Sequence, residues 1–130
     1  MIELSDKQFQ QLIDQALGEL PKIHVDHLKN VAILFNDEPT LEQREKLKLL
    51  PYQSLYGLYE GVPLAFRQGQ ASTLPDRITL FKLPILGSSR DLAGVKDQIK
   101  HTLWHEIAHY YGLDHDKIYT LERGETWADG

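Results

Sequence analysis

His105-Glu106-Ile107-Ala108-His109-Tyr110-Tyr111-Gly112-Leu113-Asp114-His115 is the stretch on which the reading of this chain turns. Its pattern is HExxHxxGxxH. In a helix, residues four apart lie one turn above each other on one face. His105 and His109 can therefore grip one metal ion from the same side. Glu106 sits about 100° further round, close enough to reach a water on that metal. Gly112 allows the chain to leave the helix through a left-handed conformation that other residues adopt only at a cost. The chain can then turn back and present His115 as a third nitrogen ligand. Three protein ligands leave a fourth zinc position open, the arrangement of a catalytic site and not of a structural one.

Five fixed residue types at these offsets arise by chance in a chain of this size with a probability on the order of one in 10⁴ or less. The upstream sequence supplies the helix that the motif needs. Asp91 to Leu103 reads as one continuous helix leading into it, and Leu92, Val95, Ile99, Leu103 and Ile107 form an apolar stripe at helical spacing. Ile107 points roughly opposite His105, so one face is buried while the other shows the ligands.

Composition limits the alternatives. A chain of 130 residues, 42% hydrophobic and 25% charged, reads as one soluble globular domain spanning 1–130. The net charge of −5, without a long basic run, argues against binding to nucleic acid or anionic membrane. The absence of cysteine excludes disulfides and thiolate ligation of zinc. The opening MIELSDKQFQ carries no apolar signal segment, and no apolar run reaches transmembrane length. A cytoplasmic, monomeric protein is the expectation.

Outward from the motif, the chain mixes helices and strands without regular alternation. Ser5 with Gln8 forms a capping box before an amphipathic helix that ends at Pro21. Asn30 to Phe35 reads as a buried strand, and Asn36 to Pro39 as a turn. Thr40 with Gln43 repeats the capping box for a short helix that stops before Pro51. Leu55 to Glu60 reads as a strand with a turn at Gly61 to Leu64, and Gln68 to Pro75 as a loop. Arg77 to Lys82 alternates apolar and polar residues, the mark of a half-buried strand. Gly87-Ser88-Ser89 breaks the chain, and Lys117 to Glu122 is a candidate final helix. The expected fold is α+β: a small sheet packed on the N-terminal helix and the long metal helix.

The chemistry expected is amide hydrolysis with one Zn2+ per chain, a peptide or protein substrate and Glu106 as general base. Such enzymes receive the peptide as an added strand on a sheet edge, and Arg77 to Lys82 is the candidate edge. The oxyanion formed in the attack needs a further donor, for which Tyr110, Tyr111 and Tyr119 are candidates beside their commoner role as packing aromatics. Asp114 is placed either to orient a ligand imidazole or to shape the turn. Asp116 is an alternative oxygen ligand, and Glu122 and Glu125 are alternative downstream ligands at short spacing. His101, one turn before His105, reads as exposed or supporting a ligand; His24 and His27 read as solvated.

Several segments resemble the small bacterial zincin-like metallopeptidases. They are the N-terminal helix ending at Leu20-Pro21, Asn30-Val31-Ala32 through Asp37-Glu38-Pro39, residues 55–64 (LYGLYEGVPL), residues 74–81 (LPDRITLF) and His105 to Gly112. The resemblance implies a zincin-like fold, one zinc site and peptidase activity, without implying a substrate. Many relatives carry aspartate where this chain has His115. The chain also lacks a Met-turn, its only methionine being Met1. Two other readings compete. A non-catalytic or very slow metal-binding module is one. The other is a metal-dependent endoribonuclease of the HGxxHxxGxDH type, matched by His105, His109, Gly112, Asp114 and His115, but with Glu106 where that motif has glycine.

Overall fold

The computed structural model describes residues 2–28, 30–61 and 75–112. Within them lie five helices, α1 (Asp6–Glu19), α2 (Lys22–Asp26), α3 (Leu41–Lys46), α4 (Lys82–Ser88) and α5 (Leu92–Tyr110), and three strands, β1 (Val31–Asn36), β2 (Gly57–Glu60) and β3 (Asp76–Phe81). The architecture is α+β, as the mixed pattern predicts. The turn at Val62 to Leu64, most of the 68–75 loop and the 117–122 helix fall outside the described residues.

Local chemistry starts the helices where the capping boxes place them. Ser5 Oγ accepts from the Gln8 amide at 3.1 Å while Gln8 returns a bond to the Ser5 amide at 2.8 Å. Thr40 and Gln43 make the same exchange at the start of α3. Asp91 caps α5 by accepting from the Gly94 amide at 2.8 Å. Two helices have no sequence counterpart. The five-residue α2 has Pro21 at its N-cap and no side-chain cap bond. Helix α4 contains Pro84 in its first turn, where the amide it lacks would have no intrahelical partner anyway.

The sheet order is β1-β3-β2, with β1 parallel and β2 antiparallel to β3. The expectation that the Arg77 to Lys82 strand forms the edge is therefore wrong: β3 is the central strand of these three, and Lys82 already belongs to α4. The apparent alternation misled because Thr79, though polar, is as buried as Ile78, Leu80 and Phe81 around it. The antiparallel edge is β2. Tyr59 Oη donates to Asp76 Oδ2 at 2.5 Å, and Arg77 and Glu60 pair across the same strands at 3.5 Å. Gly61 follows at φ +151°, where a Cβ would collide with the Asp76 side chain.

One core joins both long helices to the sheet. Phe9, Ile13 and Ala16 from α1 and Leu20 at its C-cap meet Ile78 and Leu80 from β3 and Val95, Ile99, Leu103 and Ile107 from α5. The last four are fully buried, as the stripe predicts, but Leu92 at its head is 46% exposed. The core thus grips α5 along its length and leaves the opposite face for the motif.

Candidate metal centre

Helix α5 runs unbroken through the motif to Tyr110, and Gly112 follows in the left-handed region at φ 82°. The helix brings His105, Glu106 and His109 together, with one potential ligand atom from each lying within 4.8 Å of the others. The His105 and His109 rings are 4.8 Å apart between centroids and nearly perpendicular, at 76°. Both side chains are half-buried, so each has a packed flank and an open one. Two imidazoles one helical turn apart are donors of the kind zinc takes, and the Glu106 carboxyl stands beside them, so these residues fit such an ion. His115, Asp114, Asp116, Tyr119, Glu122 and Glu125 lie outside the described residues.

Glu106 occupies a different environment from its neighbours. It turns toward the sheet and is only 8% exposed. Loss of water pushes its carboxyl up from 4.5 to about 7, and the backbone N–H of Tyr59, which donates to it, partly opposes that rise. A carboxyl near neutrality is well matched to taking and returning a proton. The Tyr59 amide reaches Glu106 because of strand parity. Phe81 donates to the Tyr56 carbonyl, so the backbone groups of Leu58 face β3 and those of Gly57 and Tyr59 face outward.

Close approach of β2 to α5 depends on Gly57. A Cβ there would lie 2.5 Å from the Thr102 methyl and 3.3 Å from Leu80 Cδ2. Between strand and helix a cavity of about 220 Å³ opens, lined by Tyr56, Gly57, His101, Thr102, His105 and Glu106 among others. No helix among the described residues is long and apolar enough to cross a membrane.

Comparison with known proteins agrees with this geometry. The family model described as zincin-like metallopeptidase matches residues 28–125. The chain belongs to the zincin-like metallopeptidase family. A conserved hypothetical protein from Thermo thermophilus has a similar fold, with a TM-score of 0.55 and 20% identity, covering 93% of this chain and 100% of that one. No curated protein matches.

In this zincin-like chain the other sequence candidates fall in distinct places. Tyr110 is fully buried, its ring edge-on to Tyr59 and Tyr111. Tyr111 donates its hydroxyl to the His24 carbonyl at 2.5 Å, and burial, then Tyr110, push its pKa up, so it stays a donor at neutral pH. His101 is exposed and its ring stacks toward His105 at 6.3 Å. His27 is exposed, with Nδ1 2.6 Å from the Ile23 carbonyl. His24, expected in solvent, is instead half-buried against the rings of Trp104 and Tyr111 at 5.2 and 6.3 Å. Sequence reasoning missed the Tyr59 amide and the Gly57 contact. The signal available for them was the glycine inside an otherwise regular strand, which marks close approach of another element.

Proposed function

We propose that this protein is a zinc-dependent metallopeptidase, acting as a monomer on a peptide or protein substrate in the cytoplasm. The observation that carries the reading is the convergence of His105, Glu106 and His109 on one helix face beside an open cavity. His105 and His109 are the zinc ligands, with His115 as the third. Zinc held there supplies a Lewis acid for the scissile carbonyl and makes a water easier to deprotonate. Glu106 takes the proton from the attacking water and returns it to the leaving amine nitrogen. Without metal, burial leaves its charged and neutral forms close in free energy near pH 7; a bound zinc would favour the charged, proton-accepting form. Tyr59 fixes the carboxylate through its amide, so the proton acceptor is oriented before substrate arrives. The outward-facing backbone of Gly57 and the carbonyl of Tyr59, whose N–H is taken by Glu106, offer a rail along which an extended peptide can lie.

The test pairs metal content with turnover. Purified protein is expected to carry about one zinc per chain and to cleave unstructured peptides but not RNA. Glu106→Gln is expected to keep its zinc and lose about 10²–10⁴-fold in rate. Zinc retained by both proteins with no cleavage by either moves the weight to a metal-binding module. RNA cleavage, or protein that takes up no transition metal, overturns the reading.

A further inference from the structure

Asp76 begins the row of β3 side chains that faces the core. Ile78 and Leu80, next in that row, are apolar and fully buried, yet Asp76, only 3% exposed, carries a carboxyl there. Its Oδ2 accepts the Tyr59 hydroxyl at 2.5 Å, and the Tyr59 amide donates to Glu106. We infer that Asp76 is a positioning residue for Glu106: through the phenol it holds the Tyr59 backbone where its amide meets the general base. The inference rests on the metallopeptidase reading and adds to it a residue that does not line the cavity.

Strand register makes the link. Tyr59 stands opposite Ile78, so Asp76 is its diagonal neighbour, two residues along β3 on the same face. The ladder bonds between these strands fall at Leu58 and Glu60, whose backbone groups face β3, while those of Tyr59 face outward. Pairing therefore holds Tyr59 only through its neighbours, and β2 ends one residue later, at Glu60. The side chain supplies a direct hold. Its hydroxyl is tied to Asp76, and its ring lies edge-on to Tyr110 at 6.2 Å, one turn beyond Glu106 on α5. One residue is thus fixed to the central strand by its hydroxyl, to the helix by its ring and to the base by its amide.

The alternative is an ordinary strand-end pair. Arg77 and Glu60, next along, make one: they approach to 3.5 Å with the Arg77 side chain 56% exposed, and such pairs contribute little. Asp76 differs from them in its burial. A buried carboxyl carries a desolvation cost that another Ile or Leu in the row would avoid, and apolar packing would steady the strand end equally well. What an apolar side chain cannot do is accept a hydroxyl, and that directional bond sets the height and tilt of the Tyr59 ring. At the other end of β2, the distance to α5 is limited by contact between Gly57 and Thr102. At Tyr59 it is set by this bond. Placement matters there because a base works within about 2.6–3.2 Å of the proton it takes, and an error of about 1 Å can cost about 10²-fold in rate.

The experiment compares zinc-loaded wild type with Tyr59→Phe and Asp76→Ala, which break the bond, and with Asp76→Asn, which keeps an acceptor oxygen. Tyr59→Phe and Asp76→Ala should each lower kcat for peptide cleavage about tenfold, with KM and zinc content unchanged. The double variant should lose no more than either single one, and Asp76→Asn should stay within about twofold of wild type. Unchanged kcat, a change confined to KM, additive losses, or an Asp76→Asn loss equal to that of Asp76→Ala overturns the inference. Where Asp76→Ala does not fold, Tyr59→Phe, which keeps the ring and its packing, carries the test.

Hydrogen exchange separates this clamp from the peptidase reading. Simple loosening of the strand would expose the amides of residues 58 and 59 alike. Positioning predicts that in Tyr59→Phe and Asp76→Ala the amide at position 59 exchanges about tenfold faster or more, while that of Leu58, bonded across to β3, keeps its rate. Should no peptide be cut in a Glu106-dependent way, the peptidase reading fails and exchange alone decides the clamp. Selective loss of protection at position 59 supports it; equal acceleration at both amides, or none at either, overturns it.

Discussion

Helices α1 and α5 enter the same core with the same kind of stripe, yet only α5 carries the His-Glu-His cluster. Their apolar faces are equivalent: Phe9, Ile13 and Ala16 on α1 face the cluster that takes Val95, Ile99, Leu103 and Ile107 from α5. Their polar residues are not. All the buried residues of α1 are apolar, whereas α5 also buries Thr102 and Glu106. On α1 the polar residues stay at least partly in water, where they are cheap to keep and easy to replace. On α5 a carboxyl has been drawn to the rim of the core, where desolvation raises its pKa to about 7. That rise is an energetic cost to the fold. A buried titratable group beside two histidines marks a candidate site more sharply than either feature alone.

The largest expected effects should not distinguish the two helices. Phe9→Ala and Ile99→Ala each remove a fully buried side chain and should destabilise by about 3–5 and about 2–5 kcal/mol respectively, read from urea unfolding. An Ile99→Ala loss below about 1 kcal/mol would break the equivalence and mean that α5 is held by something other than the shared core.

Stability against pH should separate them. In the unfolded chain Glu106 titrates near 4.5; in the folded, metal-free protein it titrates near 7. Between these values the folded state binds more protons than the unfolded one. The stabilising contribution is therefore complete below about pH 4.5, declines as pH rises through 7, and is flat above that. A shift of this size corresponds to about 3 kcal/mol. Glu106→Gln should remove that slope, leaving the metal-free variant more stable than wild type at pH 8 while it loses hydrolysis. Parallel pH curves for the two metal-free proteins would show that burial of this carboxyl costs the fold nothing.

Gly57→Ala tests the contact that only α5 makes. The added methyl meets Thr102 Cγ2 at 2.5 Å, with Leu80 and the Thr79 carbonyl close behind. Overpacking of this kind should cost about 1–3 kcal/mol. It should also move β2 away from the helix and weaken the Tyr59 bond to Glu106, so activity should fall more than stability alone explains. Gly18→Ala on α1, where a methyl meets nothing within 4 Å, is the matched control and should leave both quantities unchanged or slightly improved.

What could be read in advance follows the same division. Helices α1, α3 and α5 were legible because caps and helical periodicity are local: Ser5 with Gln8, Thr40 with Gln43, and the stripe from Val95 to Ile107. The histidine and glutamate positions were legible because helical spacing alone brings them together. Strand order was not, because pairing β3 between β1 and β2 is settled by residues far apart in sequence, and Thr79 imitates a solvent-facing position. Helix α4 carries no local signal of its own, since its N-cap Phe81 offers no side-chain cap bond. The environment of Glu106 was hidden for the same reason as the strand order, since its donor comes from Tyr59 on another element. His24 was misjudged because its partners, Trp104 and Tyr111, come from the far end of the chain.

The smallest effects return to what the two helices share. Ser5→Ala and Asp91→Ala each remove an exposed N-cap and should each cost about 1 kcal/mol, measured by thermal unfolding. Neither should change zinc content. The first residue of α5 is thirteen positions before His105, about 20 Å along the axis, and the core grips the helix at Val95 and Ile99 in between. Fraying at the start is therefore stopped well before it reaches His105 and His109. A loss of zinc in Asp91→Ala would contradict this, because it would mean that order at the metal depends on the entire helix and not on the two turns that the core holds beneath it.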